Sequence, residues 1–246
     1  KKLTSLKGLD LPKDVCDDFY CSHNKLTSLI GCPKIVNGDF YCNSNMLQNL
    51  NGGPETVNGD YSCDINQLTS LKGSAIKVKL YFSCRENKLK NLKYSPELVS
   101  SFDCGINNIT SLIGCPKNIT GDFTCEKNNL ISLKFGPEYV GGDFNCCDNQ
   151  LTSLDFLPEH IGGELLCEYN NWKYPIPDEI VEKYNIDYSK LYTSDQYTKF
   201  ESFDFQKKFL TKFPERYNDI LLYFGYADGI EEELGWLFNA VDMGLM

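Results

Sequence analysis

Eight cysteines recur at a nearly fixed interval, and that interval constrains the fold more than any other feature. Cys21, Cys42, Cys63, Cys84, Cys104, Cys125, Cys146 and Cys167 lie 21 residues apart at every step except the 20 between Cys84 and Cys104. A period of this size marks a solenoid, whose units bury their apolar side chains only against neighbouring units. Other positions fall into register with the cysteines. Two residues before each stands Phe19, Phe40, Tyr61, Phe82, Phe102, Phe123, Phe144 or Leu165, and three after each stands an asparagine, from Asn24 to Asn170. Leu26, Leu47, Leu68, Leu89, Ile109, Leu130, Leu151 or Trp172 follows two further on, and a row from Leu29 to Leu154 lies three beyond that. Six before each cysteine is Val15, Val36, Val57, Val78, Leu98, Ile119, Val140 or Ile161.

Each position has a physical meaning. F-x-C alternates with period two, so it predicts a short strand with Phe and Cys on one face and the intervening residue on the other. Gly-Asp just before it is turn chemistry, and the Pro and Gly of the return stretch favour an extended or polyproline-like path. Stacked units then form a parallel sheet with ~4.8 Å between strands. The fold class expected is a mainly β repeat solenoid over residues 1–172, with parallel strands and extended return segments.

F-x-C-x-x-N-x-L-x-x-L resembles the leucine-rich-repeat pattern L-x-L-x-x-N-x-L, with Phe and Cys in two leucine positions. The variant from Leu26 to Cys42, LTSLIGCPKIVNGDFYC, is similar to short repeats of tailed bacteriophages and related viral genomes. The resemblance implies a leucine-rich-repeat-like scaffold of viral origin. It also implies that the asparagines form a ladder satisfying buried backbone groups where the chain leaves each strand.

Composition narrows the function. Lys and Arg number 24 against 34 Asp and Glu, a net charge of −10. That disfavours nucleic acid and anionic membrane as partners, since both need a basic face. No apolar run approaches the ~20 residues of a membrane span. The chain opens Lys1-Lys2-Leu3-Thr4 without an initiator Met or a signal-type stretch, as expected if its true N-terminus is missing. All twelve cysteines lie between Cys16 and Cys167 with no C-x-x-C, and there are two histidines, His23 and His160. The eight in register read as small core hydrophobes rather than disulfides or metal ligands. So many free thiols argue for a reducing compartment, hence the cytoplasm, or the host cytoplasm for a viral protein. Cys147, beside inward Cys146, is expected to point outward and to be the most reactive thiol. No cofactor, metal or catalytic residue is expected. Two sequons, Asn108-Ile109-Thr110 and Asn118-Ile119-Thr120, matter only in a secretory pathway.

The candidate binding surface is the outward strand face. Asp18, Asp39, Asp60, Asp122, Asp143 and Glu164 precede the aromatic row and line up along one edge. They read as turn caps, as a calcium row, or as an acidic strip that meets a basic partner. Tyr20 and Tyr41 stand between Phe and Cys as aromatic anchors in a polar field. Units four and five break the pattern together: GSAIKVKLYFSC lacks both Pro and Gly-Asp, and the next unit is one residue short. The partner-binding candidates are therefore Tyr20, Asp39, Tyr41, Asp60, Asp64, Tyr81, Arg85 and Asp103.

After Trp172 the period stops. Residues 173–246 hold 14 acidic and 8 basic residues and no Cys or His. Pro177-Asp178 predicts a helix start running into Glu179–Asn185, and Tyr197, Phe200, Phe209 and Phe213 share a helical spacing. Pro214 opens a segment Glu215–Phe224, and Ile230, Leu234, Leu237, Phe238 and Val241 make a third amphipathic stretch. Three or four short helices are expected, as a cap on the last strand edge or as a second functional element. Some bacterial leucine-rich-repeat effectors carry a Cys-dependent ligase domain here; without Cys or His this tail lacks that chemistry. Glu231-Glu232-Glu233 reads as a solvated helix face. The function expected is non-enzymatic: a protein-binding scaffold, monomeric or dimeric, that binds and inhibits a host protein. The alternatives are a structural or adhesive virion or surface component, and an effector with its own C-terminal activity.

Overall fold

The computed structural model describes residues 2–232, 234 and 235. The solenoid is present. Strands at Phe19–Tyr20, Phe40–Tyr41, Tyr61–Ser62, Tyr81–Ser83, Ser101–Asp103, Phe123–Thr124, Phe144–Asn145 and Leu165–Leu166 form one parallel sheet of eight. The register puts equivalent repeat positions side by side, as in Phe40 against Tyr61. Every member of the Phe row from Phe40 onward is buried, and so are all eight cysteines of the period. The rings stack along the core; Tyr61 meets Phe40 edge to face at 4.8 Å and Phe82 at 5.2 Å.

The valine row is more regular than the extended path expected of it. Asp14–Val15, Ile35–Val36, Thr56–Val57 and Lys77–Val78 make a second parallel sheet, and Asn118–Ile119, Tyr139–Val140 and His160–Ile161 a third. The short unit interrupts this side. Leu98, placed in the valine row by counting from Cys104, is 61% exposed, and Val99 is buried in its stead. The isolated bridge from Lys77 to Leu98 fixes that register. The missing residue has thus been taken from the turn, Ser100-Ser101 replacing the longer Gly-Asp link.

The asparagine ladder closes each coil. Asn66 Nδ2 donates to the carbonyls of Cys63 (3.1 Å) and of Cys42 one coil back (3.1 Å), while its Oδ1 accepts from Leu47 N–H (3.0 Å). The same bonds recur at Asn45, Asn87, Asn107 and Asn128. The residue before each asparagine sits in the left-handed region, including β-branched Ile65 and Ile106 at φ +51°. For such side chains that conformation is strained, and the ladder is what holds it.

Contacts divide the chain into two compact units. One holds the coils through Gln150 with Leu154–Cys167; the other holds Leu151–Ser153 and the chain from Glu168 on. In the second unit Trp172 is buried and its Nε1 donates to Leu191 O at 3.0 Å. Its described helices include Asp178–Lys183, Tyr188–Leu191, Ser194–Glu201, Phe203–Lys212 and Tyr217–Leu221, with a 3-10 turn at Pro214–Arg216, and Ile230, Glu231 and Glu232 are helical as well. They are shorter and more numerous than expected. The Tyr197–Phe213 pattern is split at Ser202, whose backbone is extended (ψ 140°). Ile230 and Leu234 are buried; Leu237, Phe238, Val241 and Glu233 lie outside the described residues. No described helix is long and apolar enough to cross a membrane.

Candidate functional site: the outward face of the eight-stranded sheet

The Asp row is a second ladder. Asp18 Oδ1 accepts the N–H of Asp39 (2.8 Å), Asp39 that of Asp60 (2.8 Å) and Asp60 that of Tyr81 (3.1 Å). Asp122 and Asp143 do the same for Asp143 and Glu164, and Ser101 substitutes its hydroxyl for Asp122. Each carboxylate thus caps the next coil, which answers the turn-cap reading with an inter-coil geometry that spacing alone does not give. Among the described residues no group of three or more Asp, Glu, His or Cys is placed to hold a metal ion.

The second oxygen of the first two carboxylates carries the tyrosines. Tyr20 O–H donates to Asp18 Oδ2 at 2.7 Å and Tyr41 O–H to Asp39 Oδ2 at 3.2 Å. The two rings stack at 5.2 Å and 3°, with Tyr20 66% exposed. The Asp39 N–H and the Tyr20 hydroxyl hold the Asp18 carboxyl below its usual range, and the Asp18 bond raises the Tyr20 phenol. Desolvation and the nearby Asp39 push Tyr41 up to about 12. Both phenols are thus held by the Asp row.

Toward the middle of the sheet lies one connected polar network. Asp64 accepts from Ser62 Oγ (3.0 Å), Ser83 Oγ (2.5 Å) and Arg85 N–H (2.8 Å). Tyr81 O–H reaches Asp103 Oδ2 at 3.2 Å, and Arg85 Nη1 lies 3.5 Å from the same oxygen. Arg85 Nη2 then extends two coils on to Glu126 Oε1 at 2.6 Å, and Asn145 Nδ2 meets the other oxygen at 3.1 Å. Gly105 leaves room for this span. A Cβ there would stand 2.5 Å from Arg85 Nη1, so glycine opens the path over its coil.

Burial raises the carboxyls of Asp64 and Asp103. At Glu126 burial also pulls upward, but the Arg85 and Asn145 bonds outweigh it and its pKa falls. The contributions to stability therefore oppose one another. Glu126 contributes stability above its unfolded value of about 4.5, lost as pH falls through its lowered one. Asp64 and Asp103 favour folding most below about 3.9, and that advantage is lost as pH rises through their raised values.

The structure gathers the candidates into two clusters: Tyr20, Asp39 and Tyr41 at one end, and Asp64, Tyr81, Arg85 and Asp103 further along. Asp60 is spent on the ladder, between them. Asp18, read above as part of the acidic row, belongs with the first cluster, and Glu126, Ser83 and Gly105, which were not singled out, belong with the second. Glu126 stands in the same outward row as Arg85, at a charge-complementary position two coils on, which was the available signal. No disulfide joins the twelve cysteines. Cys16 is exposed whereas Cys147 is half-buried, so Cys16 rather than Cys147 is the most accessible thiol. Desolvation raises the row thiols, Cys21 to about 12, which makes them poor nucleophiles. A scan of protein-family models and a search of curated proteins both find no match to the chain.

Proposed function

We propose that the chain is a non-enzymatic protein-binding scaffold whose outward sheet face engages a partner with basic groups. One observation carries the reading. Inward positions repeat in kind along the whole sheet, whereas the outward ones run from a Tyr pair (Tyr20, Tyr41) through a Ser pair (Ser62, Ser83) to Asp103 and Asn145, and hydrogen bonds hold them, from the stacked Tyr20–Tyr41 pair to the Arg85 network. A non-repeating face with pre-ordered side chains loses little conformational entropy on binding. Exposed Tyr20 supplies an aromatic anchor, and Asp18 and Asp39 beside it favour Lys or Arg on the partner.

The likeness of the repeat to those of tailed bacteriophages supports a partner in a host cell, and the unbridged thiols favour a reducing compartment. Affinity capture with the Tyr20→Ala/Tyr41→Ala variant tests the reading. A partner retained by the wild type should be lost, with the melting temperature of the variant nearly unchanged. Equal capture by both proteins would move the interface off this face.

A further inference from the structure

The helical unit is acidic in sum, yet its cations are not spread evenly. Five of the eight basic residues of 173–246, namely Lys173, Lys199, Lys207, Lys208 and Lys212, gather around one cleft. Its inner part, about 280 Å³, is lined among the described residues by four of these lysines with Tyr174, Phe205 and Phe209, and by no carboxylate. An adjoining groove adds Lys207, Thr211 and a single acid, Asp204. The local charge is therefore opposite to that of the whole chain.

The aromatic rings organise the ammonium groups. Lys173 Nζ lies 5.3 Å and Lys212 Nζ 5.7 Å from the Tyr174 ring centroid, and Lys199 Nζ lies 5.3 Å from that of Phe205. Tyr174 and Phe205 are adjacent, with centroids 6.3 Å apart, and both are half-buried. An open cleft that continues into the adjoining groove suits an extended anion better than a compact, enclosed ligand. Lysines along a groove with aromatic walls are the combination that takes single-stranded nucleic acid. Stacking a base on a ring is stronger than an exposed cation–π contact, so an arriving base displaces the ammonium groups and frees them for phosphates.

We infer that this cleft binds a short stretch of single-stranded nucleic acid, with a base against Tyr174 or Phe205 and its phosphates on Lys173, Lys199, Lys208 and Lys212. The residues of this site all belong to the second unit, and the inference does not rest on the sheet-face reading.

The test is fluorescence anisotropy of the full chain with a labelled oligothymidylate of about 12 nucleotides. Binding should saturate at low salt. It should weaken about 20-fold between roughly 50 and roughly 200 mM salt if about three phosphates are neutralised. Lys208→Glu with Lys212→Glu should weaken it at least about 10-fold; if that protein does not fold, Lys208→Gln with Lys212→Gln gives the same comparison. Phe205→Leu should weaken the oligonucleotide but leave inorganic polyphosphate, which has no base, unaffected. No saturable binding, or full binding by the lysine variants, overturns the proposal. So does displacement by oligo-glutamate as effective as by polyphosphate, which would make the cleft an acidic-peptide site.

Discussion

Replacing Asn66 probes the ladder that holds the coils together. In Asn66→Ala, the buried Leu47 N–H loses the Oδ1 that accepts from it at 3.0 Å. The carbonyls suffer less: Cys42 O keeps the Asn45 amide at 3.0 Å, and Cys63 O keeps that of Asn87 at 3.2 Å. One orphaned buried donor costs about 1–3 kcal/mol, and the weakened carbonyls add about 1 more, for a total of about 2–4 kcal/mol. Asn66→Asp is the sharper perturbation. One oxygen can still serve Leu47, but the other faces the three carbonyls of Cys42, Cys63 and Asp64 where an NH2 stood. A buried carboxylate in that position costs more than alanine does at neutral pH. Protonation replaces the repulsion with an O–H donor, so the folded pKa of this Asp is raised. Its deficit should therefore shrink as pH falls through that raised value toward the unfolded one near 3.9. Urea unfolding followed by circular dichroism, at neutral and mildly acidic pH, measures both effects. An Asn66→Ala loss below about 0.5 kcal/mol, or an Asp variant no worse than Ala with no pH response, would refute the ladder as a main support of the coil.

Three further outcomes follow from the same structure. Tyr61 carries a buried hydroxyl with no hydrogen-bond partner, so Tyr61→Phe should raise stability by about 1 kcal/mol, read as a shift of the urea midpoint at constant slope. Gly105→Ala puts a Cβ in the path of Arg85 and should detach it from Glu126. The Glu126 pKa, followed by NMR, should then rise; an unchanged value would mean the guanidinium passes elsewhere. Ending the chain at Asn171 removes Trp172 and also Gln196, whose Nε2 donates to Asn170 O at 2.9 Å. Such a chain should melt lower and self-associate in analytical ultracentrifugation; a monomer of unchanged melting point would make the helices an autonomous element.

The core was legible because its rows repeat. Phe, Cys, Asn and Leu at fixed offsets leave one arrangement that buries all of them. The second sheet was less visible, since one buried valine per unit does not alternate and so carries no strand signature. Leu98 was misplaced because counting back from Cys104 assumed a turn of constant length, whereas the chain shortened that turn and kept Val99 inward. The Asp row was visible as a line of charge, but spacing cannot say that one oxygen caps the next coil while the other holds a tyrosine. The Arg85–Glu126 pair was hidden for another reason. It joins residues two coils apart, across a glycine that leaves room for the guanidinium.

The most direct measurement is site-specific photocrosslinking in extract of the native cell, with a photoreactive residue at Tyr20 or, separately, at Thr56 on the four-stranded sheet. If the outward face of the eight-stranded sheet is the protein-binding surface, position 20 should give a discrete adduct that is lost in excess unlabelled protein, and position 56 should give none. An adduct from position 56 with nothing from position 20 would contradict that assignment.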